Sequence, residues 1–278
     1  MKDIEIPRFV KWAGGKQQLM KQFEPFFPKK FKRYFEPFVG SGAVAFYIIQ
    51  KFHPTEVFLS DTNEELINAF HVVKTDVEKL IILLKKHKSE HLADSKTYYY
   101  RIRKQNPAEL PALERAARFI YLNRTCFNGL YRVNAKGQFN VPIGSYKNPD
   151  IVQDDKLRKI SKLLQNVTLQ VMPFEKILDL AKDGDFIYFD PPYYPLKKGN
   201  NFTTYTKDNF LEKEHMLLAE VFKKLSQKGC LCMESNSDTT FIHELYSDFN
   251  RRVVRARRMI NCDASGRGEV NELVITNY

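Results

Sequence analysis

Phe35-Glu-Pro-Phe-Val-Gly-Ser-Gly-Ala-Val-Ala45 reads as a strand, a tight turn and the start of a helix. Glycines at 40 and 42 let the backbone approach a ligand where a side chain would collide. Asp61 ends the next apolar run, 57–61, and stands 21 residues after Gly40, a position suited to binding ribose hydroxyls. Working outward, short apolar or alternating runs predict strands at 34–39, 57–61, 167–172, 185–190 and 230–235. Helical periodicity occupies 43–51, 156–165, 174–180 and 207–225, the last with Phe210, Leu211, Leu217, Leu218, Val221, Phe222 and Leu225 on one face. Strands alternating with helices predict an α/β fold, a mostly parallel sheet covered on both sides.

The alternation breaks in the middle. Residues 64–121 read as helix after helix, and a Gly/Asn/Pro-rich stretch at 128–149 reads as loops or a hairpin. Near the C-terminus, 252–260 and 272–277 alternate around a polar loop at 261–268, which predicts a hairpin and one antiparallel strand. The expected organisation is a catalytic part at 1–63, a helical insertion at 64–150 and the rest of the catalytic part at 151–278.

The chain has 278 residues, 43% hydrophobic and 28% charged, which excludes a disulfide-stapled miniprotein and argues against disorder. No apolar run approaches the roughly 20 residues of a membrane span, and residues 1–10 lack the apolar core of a signal peptide. A soluble cytoplasmic protein, without membrane contact, is expected. The four cysteines, Cys126, Cys230, Cys232 and Cys262, include no CxxC pair, so no metal site is expected and Cys230 and Cys232 read as core.

The net charge is +11. Residues 85–150 hold 13 Lys/Arg against 5 Asp/Glu, and 251–258 contains five arginines, so the other stretches sum to −2. Interleaved with Tyr98, Tyr99, Tyr100, Phe127, Tyr131 and Tyr146, these segments favour nucleic acid over a merely solvated face.

The glycine loop alone leaves the cofactor open. Gly40-Ser-Gly-Ala-Val-Ala45 also fits the loose GxGxxA dinucleotide pattern. Glu36 beside the loop leans toward S-adenosylmethionine, because a carboxylate repels a pyrophosphate and tolerates a sulfonium or amino group.

Asp190-Pro-Pro-Tyr193 is more specific. It follows an apolar strand, and two prolines stiffen the turn, holding an acid and an aromatic at the end of a parallel strand where such sheets bind ligands. An exocyclic amino group on adenine or cytosine is a poor nucleophile because its lone pair is delocalised into the ring. Two acceptors aimed at its N–H bonds, the Asp190 carboxylate and the Pro191 carbonyl, draw the nitrogen toward tetrahedral geometry. Tyr193 offers a stacking face for a base taken out of the duplex. A cytosine-C5 enzyme would use a cysteine after a proline, and no Pro-Cys pair occurs.

Lys11-Trp-Ala-Gly-Gly-Lys16, the 35–42 loop, Asp61, a helical segment and then Asp190-Pro-Pro-Tyr193 together resemble the Dam family of DNA adenine-N6 methyltransferases. The resemblance covers nearly the whole chain, including Asn123-Arg124, the stretches 127–132, 137–142 and 202–205, and the final hairpin. It implies an S-adenosylmethionine-dependent methyltransferase fold, a Rossmann-like seven-stranded mixed sheet. It also implies a cofactor site at Trp12, Gly14, Lys16, Glu36, Phe38, Gly40, Gly42, Asp61, Phe174 and Asp190, with catalysis by Asp190, Pro191, Pro192 and Tyr193. Read alone, Gly14-Gly15-Lys16 could be only a helix start and Trp12 only core.

For DNA, the resemblance implies recognition by residues 128–147. Arg132 suits a bidentate guanine contact, Asn134 adenine or phosphate, and Lys11, Lys136 and Lys147 the backbone. Leu130 and Pro142 match apolar positions that read the target bases, and Arg124, Asn128 and Asn140 complete the set. The implied reaction is methyl transfer to adenine N6, without metal, in double-stranded DNA at GATC. Ser145 departs from the family's Gly-Arg-Tyr-Lys pattern and removes one contact. A monomer is expected, and a cognate restriction endonuclease of the same site is the implied partner. The competing readings are a cytosine-N4 methylase, a protein-amide methylase, an NAD-dependent oxidoreductase and a nucleic-acid-binding protein without activity.

Overall fold

Tyr34–Glu36 (β1) and Phe186–Phe189 (β4) are buried at every position, as central strands of a parallel sheet covered on both faces must be. A computed structural model describes residues 4–196, 210–257 and 269–278, without the side chains of 256, 257, 269 and 270. The sheet is completed by β2 (Val57–Asp61), β3 (Val167–Val171), β5 (Leu231–Ser237), β6 (Asn250–Arg257) and β7 (Glu269–Thr276), in the order β3-β2-β1-β4-β5-β7-β6. β7 alone runs antiparallel to its two neighbours, β5 and β6. This is the mixed seven-stranded sheet expected above. Strand order reverses between β1 and β4, so a crevice opens beyond their carboxyl ends.

Among the described residues the helices are α1 (Met20–Phe23), α2 (Ala43–Phe52), α3 (Glu64–Thr75), α4 (Val77–Ala93), α5 (Ser95–Lys104), α6 (Ala112–Thr125), α7 (Asp154–Leu164), α8 (Ile177–Leu180), α9 (Glu212–Gln227) and α10 (Thr240–Leu245). Strand pleating divides the core. Tyr34, Phe186, Tyr188 and Met233 join a cluster with α2, α7 and the α3–α6 helices, while Phe35, Ile187, Phe189 and Cys232 pack with α9 on the opposite face. Within the insertion, Tyr98, Tyr99 and Tyr121 are buried, and His87 and His91 meet the Tyr98 and Tyr121 hydroxyls at 2.7 and 2.9 Å. α3 touches both parts, packing on α6 and also against β2, β3 and α7. No helix among the described residues is long and apolar enough to cross a membrane.

Several expectations shift. β1 stops at Glu36, before Pro37, which has no N–H to continue the ladder. The expected 174–180 helix is a 3₁₀ turn, Phe174–Lys176, followed by α8. The buried stripe of α9 is His215, Leu218, Val221, Phe222 and Leu225, whereas Leu211 and Leu217 face solvent. Leu211 instead caps α9, its N–H donating to Glu214 Oε2 at 2.8 Å. Residues 202–205, the 261–268 loop and Cys262 lie outside the described residues.

Gly42 caps α2 with φ of 73°, and a Cβ there would stand 2.9 Å from Phe46 Cε2. Gly42→Ala is therefore expected to destabilise the protein by about 1–3 kcal/mol in urea denaturation.

Candidate active site

The loop after β1 is tied down by backbone bonds from Val39 N to Ser60 O and from Gly42 N to Val39 O. Gly40 takes a φ of 48°, and its N–H reaches Asp61 Oδ2 at 3.3 Å while Asn63 N donates to Oδ1 at 3.0 Å. Burial pushes the Asp61 carboxyl up to about 6, partly countered by these backbone donors. Trp12 lies over the loop, so that a Cβ on Gly40 would come 2.8 Å from its Cδ1. Phe38 stacks on Phe174 with centroids 5.4 Å apart, and Phe210 meets Phe38 edge-on at 5.7 Å. Phe210, expected on a helix face, joins the aromatic wall beside the loop.

The Asp190 turn sits next to this cradle. Asp190 Oδ1 receives Lys16 Nζ at 2.8 Å and Ser235 Oγ at 2.9 Å. Lys16 also donates to Gly14 O at 2.5 Å, and its ammonium lies 4.7 Å from the Tyr193 ring centroid. Burial raises the Asp190 carboxyl, while Lys16 and then Ser235 pull it down. Tyr193 is held by its hydroxyl, which donates to Glu272 Oε2 at 2.8 Å, and the Tyr194 N–H donates to Asn236 Oδ1 at 3.2 Å. Pro191 is buried and Pro192 exposed. Ser235, Asn236 and Glu272 were not anticipated; they come from β5 and β7. Lys16 was expected at the cofactor and is bonded to the acid itself.

Glu36 is not an open charge beside the loop. It is buried, accepts the Tyr34 hydroxyl at 2.6 Å, and burial moves its carboxyl well above the usual range. Burial favours its neutral form, which weakens the expected repulsion of a pyrophosphate.

A family model of the D12 class N6 adenine-specific DNA methyltransferases matches residues 12–260. The chain belongs to this family. It is 44% identical to the Type II methyltransferase M.MjaIII of Methanocaldococcus jannaschii, over 99% of this chain and 100% of that protein. It is 42% identical to the Type II methyltransferase M1.LlaDCHI of Lactococcus lactis subsp. cremoris, over 99% and 96%. It is 37% identical to the DNA adenine methylase of Haemophilus influenzae, over 96% and 92%.

In this D12 methyltransferase the stretch after α6 is a loose hairpin, bridged at Cys126–Ile143 and Val133–Phe139. Asn123 anchors it, accepting Lys11 N at 2.7 Å and donating to Lys11 O and Gly129 O at 2.8 and 3.1 Å. Lys11 Nζ stands 4.0 Å from the Tyr146 centroid. Arg132 Nε donates to Asn140 Oδ1 at 2.7 Å, and Asn134 Oδ1 accepts Lys136 N and Gln138 N within a tight turn. Leu130 is half-buried, whereas Asn128, Lys136, Pro142, Ser145 and Lys147 are exposed.

Two expectations about this surface do not hold. Arg124 is buried, and its guanidinium donates to Phe9 O, Arg8 O and Gln153 Oε1. Burial pulls it down to about 10. It tethers the N-terminal segment and is not presented at the surface. Tyr98 and Tyr99 are likewise core, while Phe127 and Tyr146 are exposed. Arg124→Ala leaves buried carbonyls unpaired and is expected to lose about 1.5–3 kcal/mol in chemical denaturation. Arg132→Ala, at a half-exposed position, should stay within about 0.5 kcal/mol of the parent.

Proposed function

We propose that the protein methylates N6 of adenine in duplex DNA, using S-adenosylmethionine and acting on a base swung out of the helix. The observation that carries this reading is the Asp190 turn, an ionisable acid and an aromatic face set beside a glycine cradle. The cradle suits the cofactor. Positive φ at Gly40 and Gly42 leaves room where side chains would collide, Asp61 supplies carboxylate acceptors for ribose hydroxyls, and Phe38 with Phe174 forms an apolar wall for an adenine ring. When bound, S-adenosylmethionine supplies a methyl group on a sulfonium and departs as a neutral thioether.

The chain's own groups do the rest. Lys16 favours the ionised form of Asp190 against the effect of burial. The carboxylate and the Pro191 carbonyl accept the two amino N–H bonds, which frees the nitrogen lone pair from the ring. The Tyr193 ring, held by Glu272, stacks on the extruded base, and the proton left on nitrogen passes to Asp190 or water. The 64–150 segment serves as the target-recognition part, with Lys11, Asn128, Leu130, Arg132, Asn134, Asn140, Pro142 and Lys147 at the DNA. The target is GATC or a close variant, since Ser145 removes one family contact. The Type II names of the two relatives at 44% and 42% identity favour a restriction-modification role with a cognate endonuclease.

Nucleoside mass analysis of incubated DNA is expected to yield N6-methyladenine; N4-methylcytosine in its place would overturn the assignment. Asp190→Ala is expected to lower the methylation rate by about 10²- to 10³-fold or more while DNA binding persists. Protonated Asp61 offers fewer acceptors, so S-adenosylmethionine affinity in calorimetry should fall as pH drops through about 6. Asp61→Asn should be weaker above that pH and lose the dependence.

A further inference from the structure

Among the described residues, the partners of Asp190 all fall on one oxygen. Lys16 Nζ and Ser235 Oγ both reach Oδ1, at 2.8 and 2.9 Å, and no described residue bonds Oδ2. Ser235 Oγ also lies 2.8 Å from the Tyr188 hydroxyl. An ionised carboxylate can only accept, so the single Ser235 proton goes to Asp190 and the Tyr188 hydroxyl must donate to Ser235. Tyr188 is fully buried on β4, and burial together with the nearby Asp190 keeps its phenol protonated. The direction of the chain from Tyr188 to Ser235 to Asp190 is thereby set.

A lysine ammonium is a rotatable point charge and does not by itself define the plane of a carboxylate. A second donor on the same oxygen, rigidly mounted on β5, does. We propose that Ser235, backed by Tyr188, is a positioning residue that saturates one oxygen of Asp190 and turns the other toward the substrate amino group. The inference rests on the reading that Asp190 receives that group. Among the described residues, the charged and titratable neighbours of Asp190 are Lys16 from the N-terminal segment, Tyr34 and Glu36 on β1, Tyr188 on β4 and Tyr193 in the turn. Glu234 on β5 also faces it, and Glu272 on β7 lies beyond Tyr193.

The test is single-turnover methylation of a duplex across pH, with S-adenosylmethionine binding followed by calorimetry. Ser235→Ala should slow methyl transfer by about 10- to 100-fold, the scale of a misplaced catalytic group, with cofactor affinity nearly unchanged. Its acid limb should move to higher pH, because a donor that favours the ionised carboxyl is gone. Ser235→Thr should restore the limb and most of the rate, and Tyr188→Phe should give a smaller loss. A wild-type protein that methylates beside a Ser235→Ala protein of unchanged rate overturns the inference alone. A slowed variant whose acid limb stays in place makes Ser235 structural and also overturns it. A wild-type protein that leaves no N6-methyladenine overturns the functional reading, and the inference with it.

Discussion

The contact between the Lys16 ammonium and the Asp190 carboxylate organises the site. The lysine side chain is 4% exposed and the acid 20%, so neither charge is fully solvated and each needs the other. Lys16 belongs to the segment after Trp12, and Asp190 to the turn after β4; no strand or helix joins them. Their ion pair closes the N-terminal segment onto the sheet, and the same ammonium lies against the Tyr193 ring. Ser235 links that cluster to β5 and Glu272 links it to β7. One ion pair therefore registers the N-terminal segment, the acid and the Tyr193 ring against one another.

The central sheet was legible because its strands are apolar on both faces, and the glycine loop, Asp61 and Asp190 because their chemistry is written in consecutive residues. What escaped was set by register. β4 pairs with β5 so that Phe189 faces Glu234, which brings Ser235 next to Asp190. β5 pairs with β7 so that Ser237 faces Glu272, which carries that acid to Tyr193. Alternation identifies a strand and its faces but not its offset against a neighbour. Ser235 and Glu272 had no local signal, and only the paired sheet reveals them.

Charge was legible as a total and misleading as a map. Arg115 and Arg118 turn to Glu65, and Arg118 and Arg124 spend donors on backbone carbonyls. A planar guanidinium with five donors can satisfy several carbonyls while buried, which a lysine does less well. The insertion's exposed cations include Lys86, Lys96, Lys104, Lys136 and Lys147. Arg132 lies between these cases. Its Nε is held by Asn140, and its terminal nitrogens bond no described residue, which leaves that pair available for a bidentate contact.

The distribution of protons around Asp190 follows from the same packing. The charge of Asp190 raises two other carboxyls, Glu36 and Glu234, and Lys16 pulls down both Asp190 and Glu36. Were all three ionised, Lys16 would be shared and the buried charge left largely uncompensated. Glu36 and Glu234 are fully enclosed, beside the hydroxyls of Tyr34 and Tyr246, and burial shifts Glu36 well up and Glu234 to about 7. Asp190 alone has both the ammonium and an opening to solvent. Burial thus favours the neutral form of the two enclosed glutamates and leaves the lysine's charge chiefly to Asp190.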